Sequence, residues 1–121
     1  MNPIISLETA PHYMWGLNCQ SWVFVESDGL SVKRERMPAG SSERPHFHRR
    51  AHQCFYVFRG TATVYIDERE YAIREGEGLL VAANAAHWVA NNTAAEIEFL
   101  VISQPTTKND RINLEETSTK R

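Results

Sequence analysis

The chain reads as an all-β sandwich or barrel, and three observations carry that reading. Short runs rich in β-branched and aromatic residues recur along it, each closed by Gly, Pro, Asn or Asp, so that about eight strands alternate with turns. His46 and His48 stand one residue apart, which on a strand puts both imidazoles on one face. The remaining histidine of interest, His87, lies far along the chain, in LLVAANAAHWVANN. A site using all three needs distant strands brought together, and that requirement points to a closed sheet.

Taken in order, residues 1–19 mix Pro3, Pro11, His12, Trp15 and Gly16 without a steady period and read as a lead-in with room for one short edge strand. Trp22 to Glu26 is a compact aromatic and β-branched run, ended by the turn residues Ser27-Asp28-Gly29. Leu30 to Met37 alternates as a strand with Leu30, Val32, Arg34 and Arg36 on one face and Ser31, Lys33, Glu35 and Met37 on the other. Neither face is purely apolar, which suits a strand whose polar side chains line a cavity.

After Pro38-Ala39-Gly40 comes the histidine strand, stiffened at its entry by Pro45. Gln53 to Phe58 and Thr61 to Ile66 follow as strands, with Gly60 between them. Gln53, Phe55 and Val57 share parity and should face the interior, with Tyr56 and Phe58 turned away. Asp67-Glu68 connects to Glu70 through Ile73 as a hairpin, and Gly76-Glu77-Gly78 precedes the run Leu79-Leu80-Val81. Asn84-Ala85-Ala86 reads as a loop before His87 to Ala90, Asn91-Asn92 turns the chain, and Ile97 to Ser103 is the last strand. Beyond Pro105 the chain is polar, with Ile112 and Leu114 as its apolar anchors. One domain over residues 1–121 is expected, with a core barrel over about residues 20–104.

These residues resemble the cupin superfamily, small double-stranded β-helix or jelly-roll barrels that hold one metal between two sequence motifs. In the first motif, Gly40, His46, His48 and Gly60 fall in register, while Gln53 stands where the family carries glutamate. In the second, Gly76, His87 and Asn91 match, while Ala82 replaces proline and Asn84 replaces glycine. Asn is the natural substitute where a positive φ is wanted. The resemblance implies His46, His48 and His87 as ligands of one divalent transition metal, zinc, iron, nickel, manganese or copper, with Gln53 as a fourth ligand or as a hydrogen-bond partner of a ligand. A shorter spacing would bring in His52, but it would put Arg59 at the closing glycine. Gln for Glu removes one negative charge, so an ion there would attract anions more strongly.

The function expected from this set is that of a metal-dependent enzyme of dioxygenase, isomerase or cyclase type, or of a non-catalytic module that binds or senses a small molecule. Phe55 and Val57 are expected along the substrate cavity. Arg34 and Arg36, or Arg111, would hold a carboxylate or phosphate, the alternative being a solvated face. The net charge of −2 over 121 residues argues against a cationic nucleic-acid surface, and no apolar run approaches a bilayer's width. Cys19 and Cys54 form no recognisable spacing and no leader pattern opens the chain, so a reduced, cytoplasmic protein is expected. Exposed edges at the lead-in and the Trp22 strand suggest a homodimer, in which Trp15, Trp22 and Trp88 serve as packing or interface residues.

Overall fold

The computed structural model describes residues 2–114. These residues form eleven strands: β1 His12–Trp15, β2 Cys19–Glu26, β3 Ser31–Met37, β4 His46–Phe47, β5 His52–Arg59, β6 Ala62–Ile66, β7 Arg69–Ile73, β8 Gly78–Val81, β9 His87–Ala90, β10 Ile97–Gln104 and β11 Ile112–Asn113. There is no helix among the described residues. The strands form two antiparallel sheets, one in the order β1-β2-β3-β10-β5-β8 and the other β11-β4-β9-β6-β7. Hairpin neighbours such as β2-β3 and β6-β7 alternate with partners from distant parts of the chain, such as β3-β10, β5-β10 and β4-β9, as in the double-stranded β-helix that the resemblance implies.

Alternation places one face of each strand in the space between the sheets. On β10, Ile97, Phe99 and Val101 are buried there, and their partners across β3 and β5 include Met37 and Val57. Met37, Val57, Ile97 and Phe99 join Val64, Ile73 and Val89 of the second sheet in one apolar cluster. Polar residues occupy the rest of the interior, and they make the site.

The turns follow their chemistry. Asp67 and Glu68 take φ of 47° and 73°, a two-residue connection between Ile66 and Arg69 whose left-handed geometry matches strand twist. Asn84 takes φ of 71°, so it does occupy the glycine position as expected. Gly60, at φ 81°, also lies so close to Ile97 that an added Cβ would stand 2.7 Å from Ile97 Cγ2. Asn91 is fully buried and staples its turn: its Nδ2 donates to Met37 O (3.0 Å) and Ala95 O (2.8 Å), and its Oδ1 accepts from the N–H of Thr93 (3.0 Å).

Both outer segments join the sheets. The lead-in supplies β1, which edges the six-stranded sheet by pairing with β2. The segment after Pro105 returns to the second sheet, where β11 pairs with β4 and the N–H of Leu114 donates to Pro45 O (2.9 Å). Residues 115–121 of the expected polar tail lie outside the described residues.

Candidate metal centre

His46 on β4 is the register partner of His87 on β9, and His48 follows β4 by one residue. Alternation and strand pairing thus bring three imidazoles together, with ring centroids 4.4 to 5.5 Å apart. All three are buried, and one nitrogen of each lies within 4.8 Å of the others. The opposite nitrogen is tied to backbone: Nδ1 of His46 donates to Arg44 O (2.7 Å), that of His87 to Ala85 O (2.9 Å) and that of His48 to Asp110 O (2.8 Å). A carbonyl only accepts, so each Nδ1 carries the proton and each Nε2 of a neutral ring is a bare lone pair.

The rings are held neutral. Burial, followed by the charge of Arg111, pushes His46 down to about 3; burial takes His87 down to about 4 and also lowers His48. His48 Nε2 is buried without a hydrogen-bond partner. His87 Nε2 faces Gln53 Oε1 at 3.0 Å, and Gln53 Nε2 donates to Ser103 Oγ at 3.1 Å. With the amide in this orientation, two acceptors confront each other. An ion accepting both would resolve that contact, as would a flipped amide. Three convergent imidazole lone pairs, one of them orphaned, with an amide oxygen beside them, fit a divalent transition metal.

The centre opens on a cavity of about 1270 Å³ whose lining includes His46, His48, Gln53 and Phe55. Val57 is fully buried in the core and does not line it. The arginine expectation is corrected. Arg34 and Arg36 lie on the outer face of the six-stranded sheet, where Arg36 Nη2 meets Glu98 Oε2 at 2.9 Å and Arg34 Nη2 meets Glu98 Oε1 at 3.5 Å. The guanidinium carbon of Arg36 also sits 4.8 Å from the ring centroid of Trp22, and that of Arg34 4.6 Å from that of Phe58. The inward positions of β3 belong to Lys33 and Glu35, which do line the cavity. Arg111 lines it too, whereas His52 is exposed and accepts from the N–H of Ala83 (3.4 Å).

Two cavity carboxylates escape the sequence reading. Glu43 Oε1 accepts from the N–H of Val89 (3.0 Å), while its Oε2 stands 4.0 Å from His46 Nε2 and 3.6 Å from Arg111 Nη1. Burial, then the charge of Glu35, raises Glu43 to about 7. Glu35 is raised by burial as well, although Ser21 Oγ donates to it at 2.6 Å and in turn accepts from Trp15 Nε1 at 2.9 Å. Glu43 and His46 are three residues apart and would face opposite ways on a regular strand. The chain runs along β9 from Gly40 to Glu43 and becomes regular again only at His46, so both reach the same cavity. Pro45 between them is the only sequence signal of that break.

The family model for the cupin domain matches residues 33–103, and the chain belongs to that family. Solved structures share the fold. KdgF from Halomonas sp. superposes with a TM-score of 0.79 at 14% identity, over 88% of this chain and 97% of that one. A sugar phosphate isomerase from a cupin superfamily, from Silicibacter pomeroyi, gives 0.73 at 21% identity, over 86% and 76%. A variant of PAC13 from Streptomyces, with uridine, gives 0.80 at 14% identity, over 95% and 92%. At these identities the likeness is one of fold. A search of the curated proteins finds no match.

Proposed function

We propose that the protein binds one divalent transition metal, zinc, iron, nickel, manganese or copper, through His46, His48 and His87 with Gln53 as fourth ligand, and acts as a metal-dependent enzyme on a small organic molecule. The observation that carries this reading is the convergence of three bare Nε2 atoms, with that of His48 buried and unpartnered. Such an ion would supply Lewis acidity or oxygen binding, so oxygenation, isomerisation and cyclisation are the reaction classes it fits. Relatives of the same fold that act on or are seen with small molecules, the isomerase and the uridine-bound PAC13 variant, agree with a small ligand.

Glu43 favours the enzyme over a purely binding role, because it returns to the cavity the carboxylate that Gln53 does not provide. Phe55 supplies the apolar wall. The ligand we propose is a small, partly apolar carboxylate, with Lys33 or Arg111 as its second contact in place of Arg34 and Arg36.

A homodimer is proposed as well. The outer face of the six-stranded sheet exposes Tyr56 (40%), Phe58 (38%) and Leu80 (79%) side by side with half-buried Leu100 and Ile102, an apolar surface that a second copy would cover. Among the described residues no helix is long and apolar enough to cross a membrane. The unpaired thiols of Cys19 and Cys54 fit the reducing cytoplasm. Thermal shift with a panel of carboxylates, on metal-loaded and metal-free protein, tests the function: stabilisation confined to the loaded form is expected, and equal shifts in both forms would remove the metal from the reading.

A further inference from the structure

The three histidines are not oriented in the same way. His46 and His87 each donate Nδ1–H to the carbonyl two residues earlier, so their rings are set by their own local backbone. His48 has no such local partner; its Nδ1 donates to Asp110 O, 62 residues further along the chain. The Asp110 carboxylate meanwhile closes the turn that follows His48. Its Oδ1 accepts from the N–H of Arg49, and its Oδ2 from the N–H groups of Arg50 and Ala51, each at 3.0 Å. Burial works to raise this carboxyl, and the three N–H groups outweigh it and hold it low. One residue therefore grips His48 twice, through the imidazole and through the backbone leaving it.

We propose that Asp110 is the positioning residue of the centre, fixing the ring and tautomer of His48 and so linking metal affinity to the docking of the C-terminal segment. Removing its carboxylate frees the 49–51 turn and lets the Asp110 carbonyl drift from Nδ1. The Nε2 proton of His48 is then no longer excluded, and a protonated Nε2 cannot ligate. The affinity consequence rests on the metal reading above; the tautomer consequence does not.

Asp110→Ala and Asp110→Asn test this, with two readouts on each. Long-range ¹H–¹⁵N imidazole spectra of the metal-free protein should place the wild-type histidines 46, 48 and 87 in the Nδ1–H form. In Asp110→Ala, His48 alone should lose that fixed form, and zinc affinity by chelator competition should fall about 10- to 100-fold. Asp110→Asn should fall less, because one amide oxygen can still accept from two of the three N–H groups. A folded Asp110→Ala protein with His48 unchanged and zinc affinity within about twofold of wild type would overturn the proposal. So would equal tautomer loss at all three histidines, which marks general loosening. If Asp110→Ala does not fold, Asp110→Asn decides by the same criteria. If the wild type takes up no zinc, the metal reading falls and the imidazole comparison still decides whether Asp110 fixes His48.

Discussion

Strand β3 carries charge on both faces and uses it differently on each. Outside, Arg34 and Arg36 are paired with Glu98, which Arg59 Nη2 also approaches at 3.3 Å, and they sit over the rings of Phe58 and Trp22 respectively. Inside, Lys33 and Glu35 face a cavity shared with Glu43, His46 and His48. Outside, Glu98 accepts from both arginines, although the buried Arg34 Nε has no hydrogen-bond partner; inside, Glu35 and Glu43 are held at some cost of burial. Residue type does not separate the charges that pair on the outside from those that line the cavity. The face does.

The largest effect should come where the inner face is packed and carries no charge. Phe99, 1% exposed, sits in the apolar cluster, and Phe99→Ala should cost about 3–5 kcal/mol in denaturant unfolding. Next comes the outer network. Glu98→Gln should cost about 1–2 kcal/mol, from weakened charge-assisted hydrogen bonds to partly exposed arginines, and should leave metal uptake unchanged. A loss of metal with Glu98→Gln would erase the distinction between the faces.

A smaller effect is expected on ligand binding. Lys33→Ala should weaken carboxylate binding to metal-loaded protein by about tenfold, roughly 1.4 kcal/mol, while Arg34→Ala stays within about twofold. The reverse result in calorimetry would put the outer face back in the site.

The smallest effect is one of sign. Burial works to raise Glu98, but hydrogen bonds from Arg36 and Arg34 and their charges prevail and lower it. Glu98 therefore contributes stability present above its unfolded value, near the 4.5 reference, and lost as pH falls through the lower folded value. Glu35, raised by burial, does the opposite: it destabilises the fold as pH climbs above that same 4.5 reference and the carboxyl ionises. Glu98→Gln should flatten the acid limb of the stability profile, whereas Glu35→Gln should make the protein slightly more stable at neutral pH. Matching shifts of one sign in both variants would contradict the inside-outside contrast.

The strands and the histidine set were legible because alternation, Gly60 and the positive-φ Asn84 leave a local signature. The cavity walls were less so. On β3 both faces mix charge with apolar residues, so parity alone could not say which one turns inward; the pairing of Glu98 with Arg36 across β10 decides it. Glu43 was hidden by the irregular chain at Arg44 and Pro45. Asp110 acts through a backbone carbonyl and a cradle of N–H groups, and nothing in the sequence marks such a role at 62 residues' separation.

If His46, His48 and His87 together hold one divalent metal, as proposed, metal uptake must depend on His87. Elemental analysis after zinc titration and desalting, on the wild type and on His87→Ala, tests it most directly. One zinc per wild-type chain and a sharp loss in the folded variant are expected. Full zinc retention by folded His87→Ala, or a wild type that takes up none, would contradict it.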